Sequence, residues 1–358
     1  MSQPNELTQQ IRDALGKIPD PETGRGLKKQ ILGVDQSGDT FVVRIGLTSF
    51  AAAIKDEFKS KVESELSAQF AGTPINVQIE DFQRPPQPIG TVGLKCKAVI
   101  AVAAGKGGVG KSTAATCLAI ALKRAGSSVG LLDADVYGPS IPQLTGVRGR
   151  CAAGQGDKIA PMDFDGIPLM SIGFMIPPGE AVIWRGPMLH SAVTTFVRNT
   201  DWGELDYLII DMPPGTGDIA LSLSQLLPLT GSVIVCTPQE VALIDAVKAV
   251  GMFRKVKIPV IGLIENMSSF ICPDTKKSYD IFGKGGAREY AQQDSIPFLG
   301  EIPININLRE RGDQGKMVDN FADETVAPYL DGIAKQLVTT LADNAAANPA
   351  VPQLPVIG

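Results

Sequence analysis

One nine-residue loop limits the folds open to this chain more than any other feature. Gly105-Lys106-Gly107-Gly108-Val109-Gly110-Lys111-Ser112-Thr113 follows an apolar, β-branched run at residues 98–103 and opens a helical pattern at residues 112–125. It satisfies the spacing G-x-x-x-x-G-K-[ST] in a strand–loop–helix setting. The glycines let the backbone curl until several N–H groups converge on phosphate oxygens, and the helix amino terminus adds a favourable dipole. The loop is therefore expected to bind ATP through residues 105–113. Lys111 is expected to reach the β- and γ-phosphates, and Ser112 to offer its hydroxyl to Mg²⁺.

The surrounding sequence supplies the sheet that such a loop needs. Short apolar runs recur at residues 128–132, 207–210, 232–236, 259–264 and 296–299, with helical segments between them, for example at 239–256. They are apolar nearly throughout, as in parallel strands covered on both faces. Residues 96–341 are thus predicted to form an α/β domain with a doubly wound, mostly parallel sheet, whose ligand sits at the carboxyl ends of the strands. Two of those ends carry acids. Leu131-Leu132-Asp133-Ala134-Asp135 places two carboxylates beside the phosphates. Asp135 is read as orienting the attacking water, and Asp133 as supporting Mg²⁺ through its water shell. Asp211, after Tyr207-Leu208-Ile209-Ile210, is expected to hold a metal-bound water or Ser112. Met212-Pro213-Pro214-Gly215-Thr216-Gly217-Asp218 reads as a loop that senses the γ-phosphate.

A smaller unit precedes this domain. Residues 1–82 show the order α-β-β-α-β, an α+β module with a hairpin signal at Ser37-Gly38 and a long helix striped by Phe50, Ile54, Phe58, Val62, Leu66 and Phe70. Residues 83–95, rich in Pro and Gly, read as a semi-rigid linker, and residues 342–358, rich in Ala, Asn and Pro, as a flexible tail.

Charge and cysteine content narrow the partners. Thirty-three Lys and Arg against 38 Asp and Glu give a net charge of −5, which disfavours broad electrostatic contact with nucleic acid. No apolar run approaches a bilayer span, and the amino terminus lacks the pattern of a signal peptide. Cys96, Cys117, Cys151, Cys236 and Cys272 are odd in number and widely spaced, as in a reducing, cytoplasmic compartment. Cys117 and Cys236 read as core residues and Cys96 as part of the linker. Cys272 reads as the exposed candidate ligand, and Cys151 as the alternative. His190, the single histidine, reads as structural.

Lys106 adds something that the plain phosphate-loop spacing does not require. The segment from Lys106 to Ser112 resembles the deviant Walker A loop of the MinD/ParA/nitrogenase-iron-protein class. In that class the early lysine reaches the phosphates of a partner subunit, so the resemblance implies a homodimer, and Lys106 joins Lys111 and Asp135 as the expected catalytic residues. It also implies that Asn266 recognises adenine, which the donor and acceptor of its amide suit.

A closer resemblance, to the Mrp/ApbC family of iron–sulfur cluster carriers, rests on several segments. They are Asp133-Ala134-Asp135-Val136-Tyr137-Gly138-Pro139-Ser140, Trp184-Arg185-Gly186-Pro187-Met188, residues 211–218, Thr237-Pro238-Gln239-Glu240, Glu265-Asn266-Met267-Ser268 and Phe282-Gly283. Residues 1–82 resemble the iron–sulfur-assembly domain that often precedes this ATPase, without that module's reactive cysteine.

The resemblance implies slow ATP hydrolysis, a bound iron–sulfur cluster of the [4Fe–4S] type, and delivery to apo-acceptor and cluster-assembly proteins, with no nucleic-acid or membrane partner. The family's Cys-x-x-Cys is altered here to Cys272-Pro273-Asp274-Thr275, so a dimer would bring two of these thiolates rather than four. Two other readings follow. One is a nucleotide-switched regulator or scaffold without a cluster; the other is a positioning ATPase of the MinD or ParA kind. The second is disfavoured by a tail that has no Lys or Arg and by the net negative charge.

Overall fold

The computed structural model describes residues 6–154, 156, 158–175, 186–216, 221–222, 224–225, 227–275 and 277–349, with the side chains of 186–190 excepted. Two compact units divide the chain. One holds the described residues up to Arg84 together with those from Val338 on, and the other holds Pro85–Leu337.

The first unit follows the expected order. Helix Glu6–Leu15 buries Ile11, Ala14 and Leu15, then come strands β1 (Ile31–Ser37) and β2 (Thr40–Leu47), helix Lys55–Gln69 and strand β3 (Ile75–Asp81). The sheet order is β1-β2-β3, with β1–β2 antiparallel and β2–β3 parallel. The hairpin turns at Gly38-Asp39, where Gly38 has a φ of 62°. The long stripe is split. Phe50 and Ile54 lie in a 3₁₀ segment, Ser49–Ile54, and only Phe58, Val62 and Leu66 are buried from the α-helix proper.

The tail expectation is corrected in part. A helix spans Ala327–Ala347, six residues past position 341. Ala342 and Ala345-Ala346-Ala347 are strong helix formers, and the breaker Pro349 comes only afterwards. The end of this helix packs in the smaller unit, where a Cβ on Gly24 would run into the carbonyl of Ala345. Residues 350–358 lie outside the described residues.

In the larger unit the described residues form a ten-stranded sheet. Its strands are β4 (Pro88–Ile89), β5 (Leu94–Ala103), β6 (Val129–Asp133), β7 (Met162–Phe164), β8 (Ile167–Ser171), β9 (Leu205–Asp211), β10 (Gly231–Cys236), β11 (Val260–Ile271), β12 (Ser278–Tyr279) and β13 (Phe298–Ile304). The order is β12-β11-β10-β5-β9-β6-β8-β7, with β13 also on β11 and β4 on β5. Pairings from β13 through β11, β10, β5, β9 and β6 to β8 are parallel, while β4, β7 and β12 are antiparallel additions. β6, β9 and β10 are buried along their whole length, the pattern of a sheet covered on both faces.

Part of the expected linker belongs to this sheet, since β4 pairs with Leu94 and Lys95. Cys96 is accordingly a buried residue of β5 and not a linker thiol.

Candidate functional site

The glycine loop joins β5 to the helix Lys111–Ala125. Gly108 and Gly110 have φ of 81° and 83°, where a side chain would be strained. Gly105 is demanded by packing instead: a Cβ there would enter the backbone of Asp245, on the helix Glu240–Lys255. At Gly107 and Gly108 a Cβ would meet nothing, so the mouth of the loop is open. The helix starts at the N-cap Gly110 with no side-chain cap, leaving its first amides for an anion. Lys106 is half-buried, beside the exposed Gly107 and Gly108.

Beneath the loop, parallel register brings acids together. Asp133 of β6 and Asp211 of β9 are paired positions, and Ser171 of β8 lies opposite Asp133. Lys111 is 6% exposed and donates to Asp211 Oδ1 at 2.6 Å; its Nζ lies 3.6 Å from Asp135 Oδ2 and 3.4 Å from the Ser112 hydroxyl. Burial pushes the Asp211 carboxyl up, and the Lys111 ammonium opposes this. Asp211 Oδ2 is buried without a hydrogen-bond partner. A buried carboxylate oxygen without a partner, on a carboxyl whose ionised form the Ser112 hydroxyl also favours, suits a hydrated Mg²⁺ ion.

Asp133, expected to support Mg²⁺ through its water shell, is the paired neighbour of Asp211. It is wholly buried, and its oxygens accept from Ser171 Oγ at 2.9 Å, the Asp135 amide at 3.1 Å and the Ile141 amide at 3.3 Å. Burial, and then the nearby Asp211 charge, hold its carboxyl well above the usual carboxylate range. Its geometry fixes the segment that carries Asp135, whose Oδ1 in turn accepts from the Gly138 amide at 3.3 Å. Ser171 carries no motif of its own, so nothing in the sequence marked it as a partner.

The loop after β9 returns to the glycine loop. Gly215, with φ of 90°, donates its amide to Ala104 O at 2.9 Å. Gly217 and Asp218 of the same segment lie outside the described residues, as do Trp184 and Arg185 and the side chain of His190.

On the other side, Asn266 of β11 is buried and donates Nδ2 to Val109 O at 2.8 Å. Its amide thus braces the loop directly. Glu265, fully buried, accepts from the amides of Gly285 and Ala287 at 3.2 and 2.9 Å and so caps the helix Gly286–Gln293. Glu265 opens the segment Glu265-Asn266-Met267-Ser268, but its capping partners lie about 20 residues ahead, beyond what spacing reveals.

Cys272 follows β11 and is partly exposed, in a tight turn where its amide donates to Lys277 O at 2.9 Å. Thr275 is exposed in this turn. Cys272 lines a cleft of ≈ 490 Å³ with Phe270, Pro273, Ile306, Asp323 and Tyr329. Hydrogen bonds, first from the Thr325 hydroxyl, hold the Asp323 carboxyl down at about 2. Burial pushes the thiols of Cys96, Cys117 and Cys236 up to about 12. Cys151 is half-buried with its Sγ 3.8 Å from Met170 Sδ. Among the described residues no group of three or more His, Cys, Asp or Glu is arranged to hold a metal ion within one chain.

Comparison with known proteins decides the family. The family model of the ParA group described as NUBPL iron-transfer P-loop NTPase matches residues 95–338. The chain belongs to this family.

Similar family members reach well beyond the matched domain. The iron–sulfur cluster carrier protein of Deinococcus radiodurans is 44% identical over 328 residues, covering 90% of this chain and 93% of the relative. That of Escherichia coli K12 is 40% identical, with 93% of each chain covered. The mouse iron–sulfur cluster transfer protein NUBPL is 50% identical over 68% of this chain and 77% of its own. Among solved structures, the nucleotide-binding protein of Archaeoglobus fulgidus in complex with ADP is 40% identical with a TM-score of 0.57, covering 63% of this chain and 89% of that chain. The Pyrococcus furiosus cell-division ATPase MinD, 21% identical at a TM-score of 0.50 over 67% of this chain and 97% of its own, shares the fold. No helix among the described residues is long and apolar enough to cross a membrane.

Proposed function

We propose that this protein is an ATP-hydrolysing carrier that binds an iron–sulfur cluster and hands it to apo-acceptor proteins, working as a homodimer in the cytoplasm. The observation that carries the nucleotide half is the buried Lys111–Asp211–Asp135 group beneath an open glycine loop. The relative solved with ADP supports it, and the relatives named as cluster carriers support the cargo.

In this reading the loop amides and Lys111 bind the triphosphate, and Lys111 turns from its carboxylates toward the phosphates. Ser112 and Asp211 would hold Mg²⁺, which neutralises charge on the β- and γ-phosphates when bound. Asp135 orients the attacking water and accepts its proton, while Asp133 keeps the Asp135 segment in place. Lys106 contributes a cation to the partner subunit's phosphates, as an arginine finger does. Asn266 remains the candidate for the adenine edge through its Oδ1, since Nδ2 is engaged with Val109.

The cluster is cargo, and Cys272 is the thiolate that presents it. Two copies bring two such thiolates, so the remaining ligands come from elsewhere, Cys151 or the acceptor included. Thr275, standing where the second cysteine of the pair would be, favours a second reading: a nucleotide-switched regulator without a cluster. A transfer assay separates them. Protein loaded anaerobically with iron and sulfide is mixed with an apo-ferredoxin, with and without Mg-ATP. Recovery of the acceptor's spectrum is expected; no transfer under either condition favours the regulator.

A further inference from the structure

The glycine loop and Cys272 are joined by one strand. Asn266 holds the Val109 carbonyl at 2.8 Å, and the fit is close enough that a Cβ on Gly110 would collide with the same amide. The strand continues to Ile271, and Cys272 follows.

Between these points its pairing breaks. Asn266 pairs with Ile302 of β13 and Phe270 with Ile304, so residues 267–269 stand opposite Pro303 alone. Proline has no N–H to give the ladder, which is where a bulge is expected. Met267 takes up the surplus with a φ of 57°, a conformation rare for a residue with a side chain. The Ser268 hydroxyl is buried there without a hydrogen-bond partner. On the near side Glu265 is fixed twice, by pairing with Cys236 of β10 and by its bonds to Gly285 and Ala287. Beyond the bulge, Phe270 and Ile271 pair with Tyr279 and Ser278 in the hairpin that carries Cys272.

We propose that Asn266 is a positioning residue that transmits the occupancy of the phosphate loop to Cys272, with the Met267 bulge as the joint. The inference rests on the nucleotide reading above. Phosphate oxygens draw the loop amides inward, and the Val109 peptide turns with them. Asn266 follows its acceptor. Glu265 prevents the whole strand from sliding, so the movement passes into residues 267–269 and on to the Cys272 hairpin.

The test is the rate of Cys272 alkylation by iodoacetamide, read by peptide mass spectrometry on the full chain. It is measured without nucleotide, with saturating Mg-ADP and with a non-hydrolysable Mg-ATP analogue. Calorimetry reports nucleotide binding, and Cys151 serves as the internal reference. Nucleotide is expected to change the Cys272 rate by at least about fivefold, the low end of ordinary coupling between sites. In Asn266→Ala at saturating nucleotide, the ratio is expected to fall to within about twofold of unity, below that range.

A wild-type protein that binds nucleotide with no change at Cys272 overturns the coupling and leaves the nucleotide reading standing. Absence of binding heat overturns both. Asn266→Ala that binds nucleotide and keeps the wild-type ratio also overturns the coupling. Where Asn266→Ala no longer binds, Met267→Gly decides, because it leaves the loop intact and frees the joint. A collapsed ratio there supports the proposal, and a retained one refutes it.

Discussion

Replacing Lys111 by Met keeps the length of the side chain and removes its charge. Lys111 holds Asp211 at 2.6 Å and Asp135 at 3.6 Å, with Asp211 wholly buried and Asp135 7% exposed. Asp133 adds a third carboxylate on the neighbouring strand. Removing one partner of a buried ion pair costs about 3–5 kcal/mol, because the remaining charge has no compensation. At pH 8 the larger unit should therefore melt roughly 6–15 °C lower in Lys111→Met, at ~2–3 °C per kcal/mol for a unit of this size.

The pH dependence has a definite sign. The Asp133 and Asp211 carboxyls both lie above the ordinary value. As pH falls through those raised values they become neutral, and the missing ammonium no longer leaves a naked charge. The gap between wild type and variant should therefore narrow steadily from pH 8 toward pH 5. Lys111→Met with Asp211→Asn together should recover more than half of the loss. Scanning calorimetry on nucleotide-free protein reads all three. A variant that melts with the wild type at pH 8, or a gap that stays constant with pH, would refute the reasoning.

Other perturbations probe separate parts of the site. Gly105→Ala drives a Cβ into the Asp245 backbone; it should cost about 1–3 kcal/mol and weaken ATP binding in calorimetry at least about tenfold, ~1.4 kcal/mol. Ser171→Ala removes the 2.9 Å donor to Asp133 and should cost ~1.5–3 kcal/mol at pH 8. That bond favours ionised Asp133 and lowers its otherwise raised value, so the cost should shrink as pH falls through it; denaturant titrations at two pH values check this. Glu265→Gln exchanges one acceptor oxygen for an N–H₂ facing the amides of Gly285 and Ala287. Hydrogen exchange at those two amides should accelerate while that of the buried β9 amides stays unchanged.

Much of the architecture was legible because its signals are local and redundant. The loop at 105–113, the apolar strands and the acids at their tips each need only a short window, and the structure brings Lys111, Asp135 and Asp211 into one group. What spacing did not reveal depends on distant partners. β7 and β8 are only three and five residues long, and the parallel register that sets Ser171 opposite Asp133 joins strands far apart in the chain, so Ser171 could not be matched to Asp133. The Met267 bulge follows from Pro303 on another strand. The helix through Ala347 was hidden by composition, since Ala and Asn suit a tail as well as a helix and Pro349 marks only its end. Cys272 is partly exposed rather than open to solvent, and the cleft beside it needed the residues of three separate segments.

The proposed carrier function requires Cys272 to present a cluster across a pair of chains. The most direct measurement is the iron and sulfide content per chain of protein reconstituted and desalted without oxygen, for wild type and Cys272→Ser. Iron and sulfide in equal amounts on wild type, with a visible absorption band, and both lost in Cys272→Ser, are the expected result. Iron-free wild type, or a Cys272→Ser variant that retains the full complement, would contradict it.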